Sequence, residues 1–222
     1  MLSKKISPLL CWLMLLSAFC VVQQLGRMFW TGTLTYIFLP FNLLLAWIPL
    51  LVTLLLHKRT TSFRLILLYL VWIIFFPNSA YIITDLIHLK PRNNVPFWFD
   101  TSMAFSFAFT GFMTGLASAM LAYQKLLQTF TVRTGKYIMV IIMFSSGYGI
   151  YMGRFLRWNS WDILFHPVGI FSDTYTRIMN PTIHHETYAV SLLTGLFLTL
   201  TFFALESFRH TNIHETNPSS TI

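Results

Sequence analysis

Asn78, Tyr81, Asp85 and His88 recur at intervals of three, four and three residues in the stretch PNSAYIITDLIHL. At 100° per residue those intervals gather an amide, a phenol, a carboxylate and an imidazole into one narrow stripe of a helix. Just ahead, Leu65 to Phe76 carries no charge. Near a bilayer centre a carboxylate costs about 2.5–3.5 kcal/mol even on the mildest scale, so the stripe must face protein, water or the membrane edge. Asp85 and Asp100 are candidate counter-ions or general bases there. Asp85 and His88 share a face and are weak candidate ligands for a divalent metal. The plainer roles are a wet helix end for Asp85 and His88, and an interhelical hydrogen bond for Asn78.

A second set lies in GRFLRWNSWD, residues 153–162. Arg154 and Arg157, three apart at the end of an apolar run, can point one way, and paired guanidiniums suit forked binding of phosphate or carboxylate. Asn159 and Ser160 add donors, Asp162 is a further candidate acid, and an anionic lipid headgroup fits the group. The bland alternative is two arginines anchoring a helix end to phospholipid. His166, His184, His185 and Glu186 could enlarge a metal site, His184 being the weak third candidate beside Asp85 and His88. No HExxH or paired CxxC occurs, and Pro167 after His166 argues against a regular helical chelate with Asp162.

The elements that must position these residues are membrane spans. Of 222 residues 55% are hydrophobic and 10% charged, too few to coat a water-soluble globule. Lysines and arginines, which bring the net charge to +8, are scattered between apolar runs with no recognition motif, so anionic lipid and not nucleic acid is their partner. Cys11 and Cys20, about 13 Å apart along one helix, cannot pair within the chain. Met1 to Gln24 resembles a signal peptide but lacks a small-residue cleavage site and reads as an uncleaved first span.

Spans follow over residues 34–56, 65–89, 100–123, 137–155 and 188–205. The second is interrupted by Pro40 and Pro49. The third breaks at Pro77, where Asn78 or Ser79 could satisfy the freed backbone groups. Gly111 and Gly115 in the fourth permit close helix packing. Residues 162–187 hold Asp173 and Arg177 among apolar patches and are expected along the interface. Six spans place both termini on one side. Lys4, Lys5, Lys58, Lys125 and Lys136 against Lys90 alone put that side in the cytoplasm. Asp85, Asp100, Asp162, Asp173 and Glu186 then fall outside.

Three stretches, PNSAYIITDLIHL, PFWFD (Pro96 to Asp100) and GRFLRWNSWD, resemble the signature segments of a bacterial membrane family known as a domain of unknown function, DUF1361. The matching positions are Asn78, Tyr81, Asp85, His88, Asp100, Arg154, Arg157, Asn159, Ser160, Trp161 and Asp162. The resemblance implies a multi-pass protein of a bacterial plasma membrane and carries no established activity to transfer.

The expectation is an all-α membrane bundle of six transmembrane helices over residues 1–206, with N and C termini cytoplasmic and a polar, disordered tail over 207–222. A site at the outer membrane edge, with Asn78, Tyr81, Arg154, Arg157, Asn159 and Ser160 as ligand-binding residues, binds or processes an anionic lipid headgroup. Asp85 is expected to pair with Arg154 or Arg157. The alternatives are a small-solute transporter or channel lined by Asn78, Asp85 and the Pro77 break, and a structural subunit with a protein partner or a second copy.

Overall fold

The computed structural model describes residues 2–56, 61–92 and 95–215. Among them the chain is helical with no β-strand: α1 (Leu2–Thr31), α2 (Phe38–Leu56), α3 (Ser62–Phe75), α4 (Pro77–Tyr81), a 3-10 helix (Ile82–His88), α5 (Phe97–Leu126), α6 (Val132–Phe155), α7 (Asp162–Phe165), α8 (Pro167–Met179) and α9 (His185–Glu215). Six stretches are long and apolar enough to cross a membrane, the third being α3, α4 and the 3-10 helix in succession. The chain is a multi-pass membrane protein. The basic cluster at 57–59 and the last seven residues of the expected tail lie outside the described residues, and α9 stays helical to Glu215.

The helices gather into two compact units that meet inside α5, between Ser118 and Ala119, not at a linker. In the first unit α2 packs against α3 and α4. Its core joins Cys20, Leu39, Leu43, Ile82, Met103 and Phe107. The third span breaks where proline dictates. Pro77 has no N–H to donate, so α3 stops at Phe75 and α4 restarts with Pro77 in its first turn. Asn78 Nδ2 donates to the Phe75 carbonyl at 3.0 Å and Ser79 Oγ to that of Phe76 at 2.7 Å, so the side chains next to the break close it.

From Ile82 the backbone tightens to three residues per turn, with Thr84 Oγ1 donating to the Tyr81 carbonyl at 2.6 Å. Two α5 glycines make room for this segment. A methyl on Gly115 would overlap the Ser79 hydroxymethyl, and one on Gly111 would come within 2.7 Å of Ile82 Cγ2. The Gly-x-x-x-Gly pair therefore packs one helix within the unit.

In the second unit α6 runs along α9. They touch at Gly147 and Gly195, where an added Cβ would meet the Ser191 carbonyl or the Phe144 backbone. The chain from the end of α6 to the start of α9 forms α7 and α8, neither of which has a buried residue.

Candidate functional site

The first unit buries an ion pair. Arg27, in the last turns of α1, is 1% exposed, as is Asp100 in the first turn of α5. They form a forked pair, Nε to Oδ1 at 2.7 Å and Nη2 to Oδ2 at 3.1 Å. Asp100 thus complements the α5 dipole as its position suggested, and a buried arginine holds it as well. Tyr36 packs between two guanidiniums, Arg27 at 4.9 Å and Arg92 at 5.3 Å from its ring centroid, with its own backbone left-handed at φ 64°. A tyrosine held there costs about 1–3 kcal/mol, which the surrounding contacts must offset. Arg27 Nη1, Tyr36 Oη and Gln24 Oε1 are buried without a hydrogen-bond partner among the described residues.

The 3-10 winding redraws the expected stripe. At three residues per turn Ile82, Asp85 and His88 stack along one edge, while Asn78 belongs to α4 across the change of pitch. Asp85 is buried and accepts from Asn42 Nδ2 of α2 at 2.6 Å. His88, one turn on, is exposed and meets Phe38 edge to face at 5.7 Å. Asn78 and Tyr81 are half-buried, and Asn78 caps the end of α3. Three His, Cys, Asp or Glu side chains able to hold a metal do not come together anywhere among the described residues, and His184 lies in the other unit from Asp85 and His88.

In the second unit Arg154 and Arg157 do not share a helical face. The helix ends at Phe155 and Arg157 is left-handed at φ 61°, with Trp158 N–H donating back to the Met152 carbonyl at 3.2 Å. That is a helix-ending turn, and it redirects the chain between the two arginines. Asn159 gives its backbone N–H and its Nδ2 to Asp162 Oδ2, at 2.7 and 3.1 Å, so both groups are engaged in closing the turn into α7. His166 is non-helical, as the following proline requires, yet its Nδ1 still lies 3.8 Å from Asp162 Oδ1. Ser160 is half-buried in the same turn, and His184 ends the loop before α9.

The open polar feature of this unit is built mainly from residues that the sequence did not single out as a site. Arg177 of α8 donates Nη1 to the Asp173 carbonyl at 2.9 Å and lies 3.4 Å from its carboxylate. Trp158 Nε1 donates to the other Asp173 oxygen at 2.7 Å, and Tyr148 Oη donates to Thr174 at 2.9 Å. These bonds dock the polar face of α8 onto α6 and the turn after it. Burial by itself would loosen the proton of Arg177, but a hydrogen bond to Tyr151 and the charge of Asp173 outweigh it, and the guanidinium is held above its ordinary range.

Beside Arg177 opens a cavity of about 200 Å³ walled by Tyr148, Thr174, Thr187, Tyr188, Ser191 and Leu192. Arg177 Nε, Thr187 Oγ1 and Ser191 Oγ in that wall are buried and find no hydrogen-bond partner among the described residues. A buried polar atom left so costs about 1–3 kcal/mol.

The chain matches the model of the DUF1361 family, proteins of unknown function, over residues 41–201. It belongs to the DUF1361 family. The matched residues include Asn42, Asp85 and Asp100 of the first unit and the whole cavity wall of the second, while Arg27 and Tyr36 precede them. Neither the curated proteins nor the solved structures contain a match to this DUF1361 chain.

Sequence reasoning overlooked Arg27, Tyr36 and Asn42 in one unit and Tyr148, Arg177, Thr187 and Ser191 in the other. Arg27 looks like any basic residue ending a membrane span. The signal for Arg177 was an aspartate four residues before it on an otherwise apolar segment.

Proposed function

We propose that this DUF1361 protein binds an anionic group, such as that of a lipid headgroup, in the cavity beside Arg177. The observation that carries the reading is a fixed positive charge bordering the cavity, with its own Nε and the Thr187 and Ser191 hydroxyls buried just behind the surface and lacking partners among the described residues. Arg177 is held charged and oriented by Asp173 and Tyr151. The Thr187 and Ser191 hydroxyls can turn their hydrogens toward an incoming oxygen. The lysine asymmetry favours an outer-face position for the cavity, and the resemblance noted in the sequence favours a bacterial plasma membrane. Transport through the third span gains less support, because Asn78 and Ser79 spend side-chain donors on the neighbouring Phe75 and Phe76 carbonyls.

The test is native mass spectrometry of the full chain released from micelles containing phosphatidylglycerol or phosphatidylcholine. The wild type should retain the anionic lipid preferentially. Arg177→Gln should lower that retention about tenfold or more, the loss expected for a hydrogen bond to a charged group. Equal retention by wild type and Arg177→Gln, with unchanged melting, would sink the reading.

A further inference from the structure

The cavity surface is apolar almost throughout, with Arg177 Nε, Thr187 Oγ1 and Ser191 Oγ buried just behind it. Ile178 and Leu192 on the rim are 58% and 56% exposed, whereas Thr187 inside is 4% exposed. A water-soluble anion would have to pass a greasy doorway to reach Arg177. A volume of about 200 Å³ is also small beside the roughly 300–1,000 Å³ of sites that enclose a whole small molecule, so part of the ligand stays outside.

What waits outside follows from α8. Val168, Phe171, Tyr175 and Ile178, at intervals of three, four and three, form one exposed stripe, the first two 80% and 73% exposed. Leu164 and Phe165 of α7 are exposed as well. The polar side of the helix, with Asp173, Thr174 and Arg177, is turned onto Trp158 and Tyr148. A helix lying on a membrane normally gives its polar side to water and its apolar side to the acyl chains. Here the protein takes the polar side and leaves the apolar one exposed. The stripe ends at Ile178, which is itself on the cavity rim.

We infer that the ligand enters sideways from the bilayer as a membrane-resident amphiphile, its anionic group drawn in beside Arg177 and its tail left along Ile178 and Leu192. This rests on the reading of the cavity as an anion site. The α8 stripe is then the lipid-immersed approach to the cavity.

Two measurements on the full chain in lipid nanodiscs test it. Nitroxide labels at Val168 and Phe171, in a background with Cys11 and Cys20 changed to serine, should be relaxed more by oxygen than by a water-soluble nickel chelate. The reverse order would overturn the inference. A photoreactive residue at Leu192 should capture phosphatidylglycerol, and capture should fall about tenfold in Arg177→Gln, whereas capture at Leu193 on the neighbouring lipid-facing surface should not change. Glycerol phosphate or inorganic phosphate should compete at least tenfold more weakly than the intact lipid, since two buried methylenes already supply that factor. If the free anions compete as well as the lipid, and do so only when Arg177 is present, the anion site stands and lateral entry is wrong. If neither lipid nor free anion depends on Arg177, the anion site itself fails and the inference with it.

Discussion

Each unit of the molecule contains an arginine, an aspartate and a tyrosine in contact, and the two use them oppositely. In the first unit the pair Arg27 and Asp100 has side chains 1% and 2% exposed, drawn from helices 73 residues apart in sequence. In the second, Arg177 and Asp173 are one helical turn apart, the aspartate side chain is 39% exposed, and the guanidinium borders a cavity. A buried forked pair between distant segments fixes how those segments meet, because neither charge can be left alone out of water. A local pair at the mouth of a cavity fixes little of the fold and leaves its arginine available to something else. The same three residue types thus make a clamp where solvent is excluded and a receptor where a space is kept open.

The comparison breaks most readily at the clamp. Arg27→Met or Asp100→Asn strands one charge or its donors, and each should cost about 3–5 kcal/mol, seen as a large fall in detergent melting temperature and in folded yield. The double change Arg27→Met with Asp100→Leu should cost clearly less than the sum of the single changes. Arg177→Gln, by contrast, leaves an aspartate that is 39% exposed and still bonded by Trp158, and should cost only about 1.5 kcal/mol. Equal losses for Arg27→Met and Arg177→Gln would erase the distinction between clamp and receptor.

Next in size is Asn42→Leu, which removes a donor to the buried Asp85 carboxylate and should destabilise by about 1.5–3 kcal/mol without affecting lipid retention. Close behind, Gly147→Ala should cost about 1–3 kcal/mol, since its methyl would strike the Ser191 carbonyl with no flexible side chain to yield. It should also weaken anionic-lipid retention, because Ser191 belongs to the cavity wall. The smallest change sharpens the comparison most. Thr187→Val swaps an unpartnered buried hydroxyl for a methyl of the same shape, so melting should hold within about 0.5 kcal/mol or rise. Retention of phosphatidylglycerol should nonetheless fall, and a clear loss of stability instead would mean that Thr187 already has a structural partner.

Much of the fold was legible because lipid leaves few choices. Apolar runs of about twenty residues must be helices, and Pro77 must interrupt one of them. Asn78 and Ser79 beside that proline were read as groups that could satisfy freed backbone groups, and they do bond the adjacent Phe75 and Phe76 carbonyls, though the carbonyl that the missing N–H itself leaves is that of Ile73. Gly111 and Gly115 were read as a packing surface and are one. The stripe was drawn wrongly in detail because helix pitch cannot be read from spacing. Residues three apart fit both α and 3-10 windings, and only packing against the α5 glycines and the Thr84 hydroxyl bond go with the tighter one. The Arg154 and Arg157 pair failed for a similar reason, since nothing in GRFLRWNSWD says that the helix stops at Phe155 and that Arg157 turns left-handed.

By itself, then, the sequence determined which segments are too apolar for water, where proline and glycine interrupt or narrow them, and that the remaining charge gathers near their ends. Those are properties of a residue and its near neighbours. Only the tertiary structure decided that Arg27 finds Asp100, that Asn42 finds Asp85, and that Arg177 looks onto Thr187 and Ser191. Such pairings depend on which helix faces approach each other, and a charge at the end of a span reads the same whether it meets lipid, a partner helix or an empty cavity.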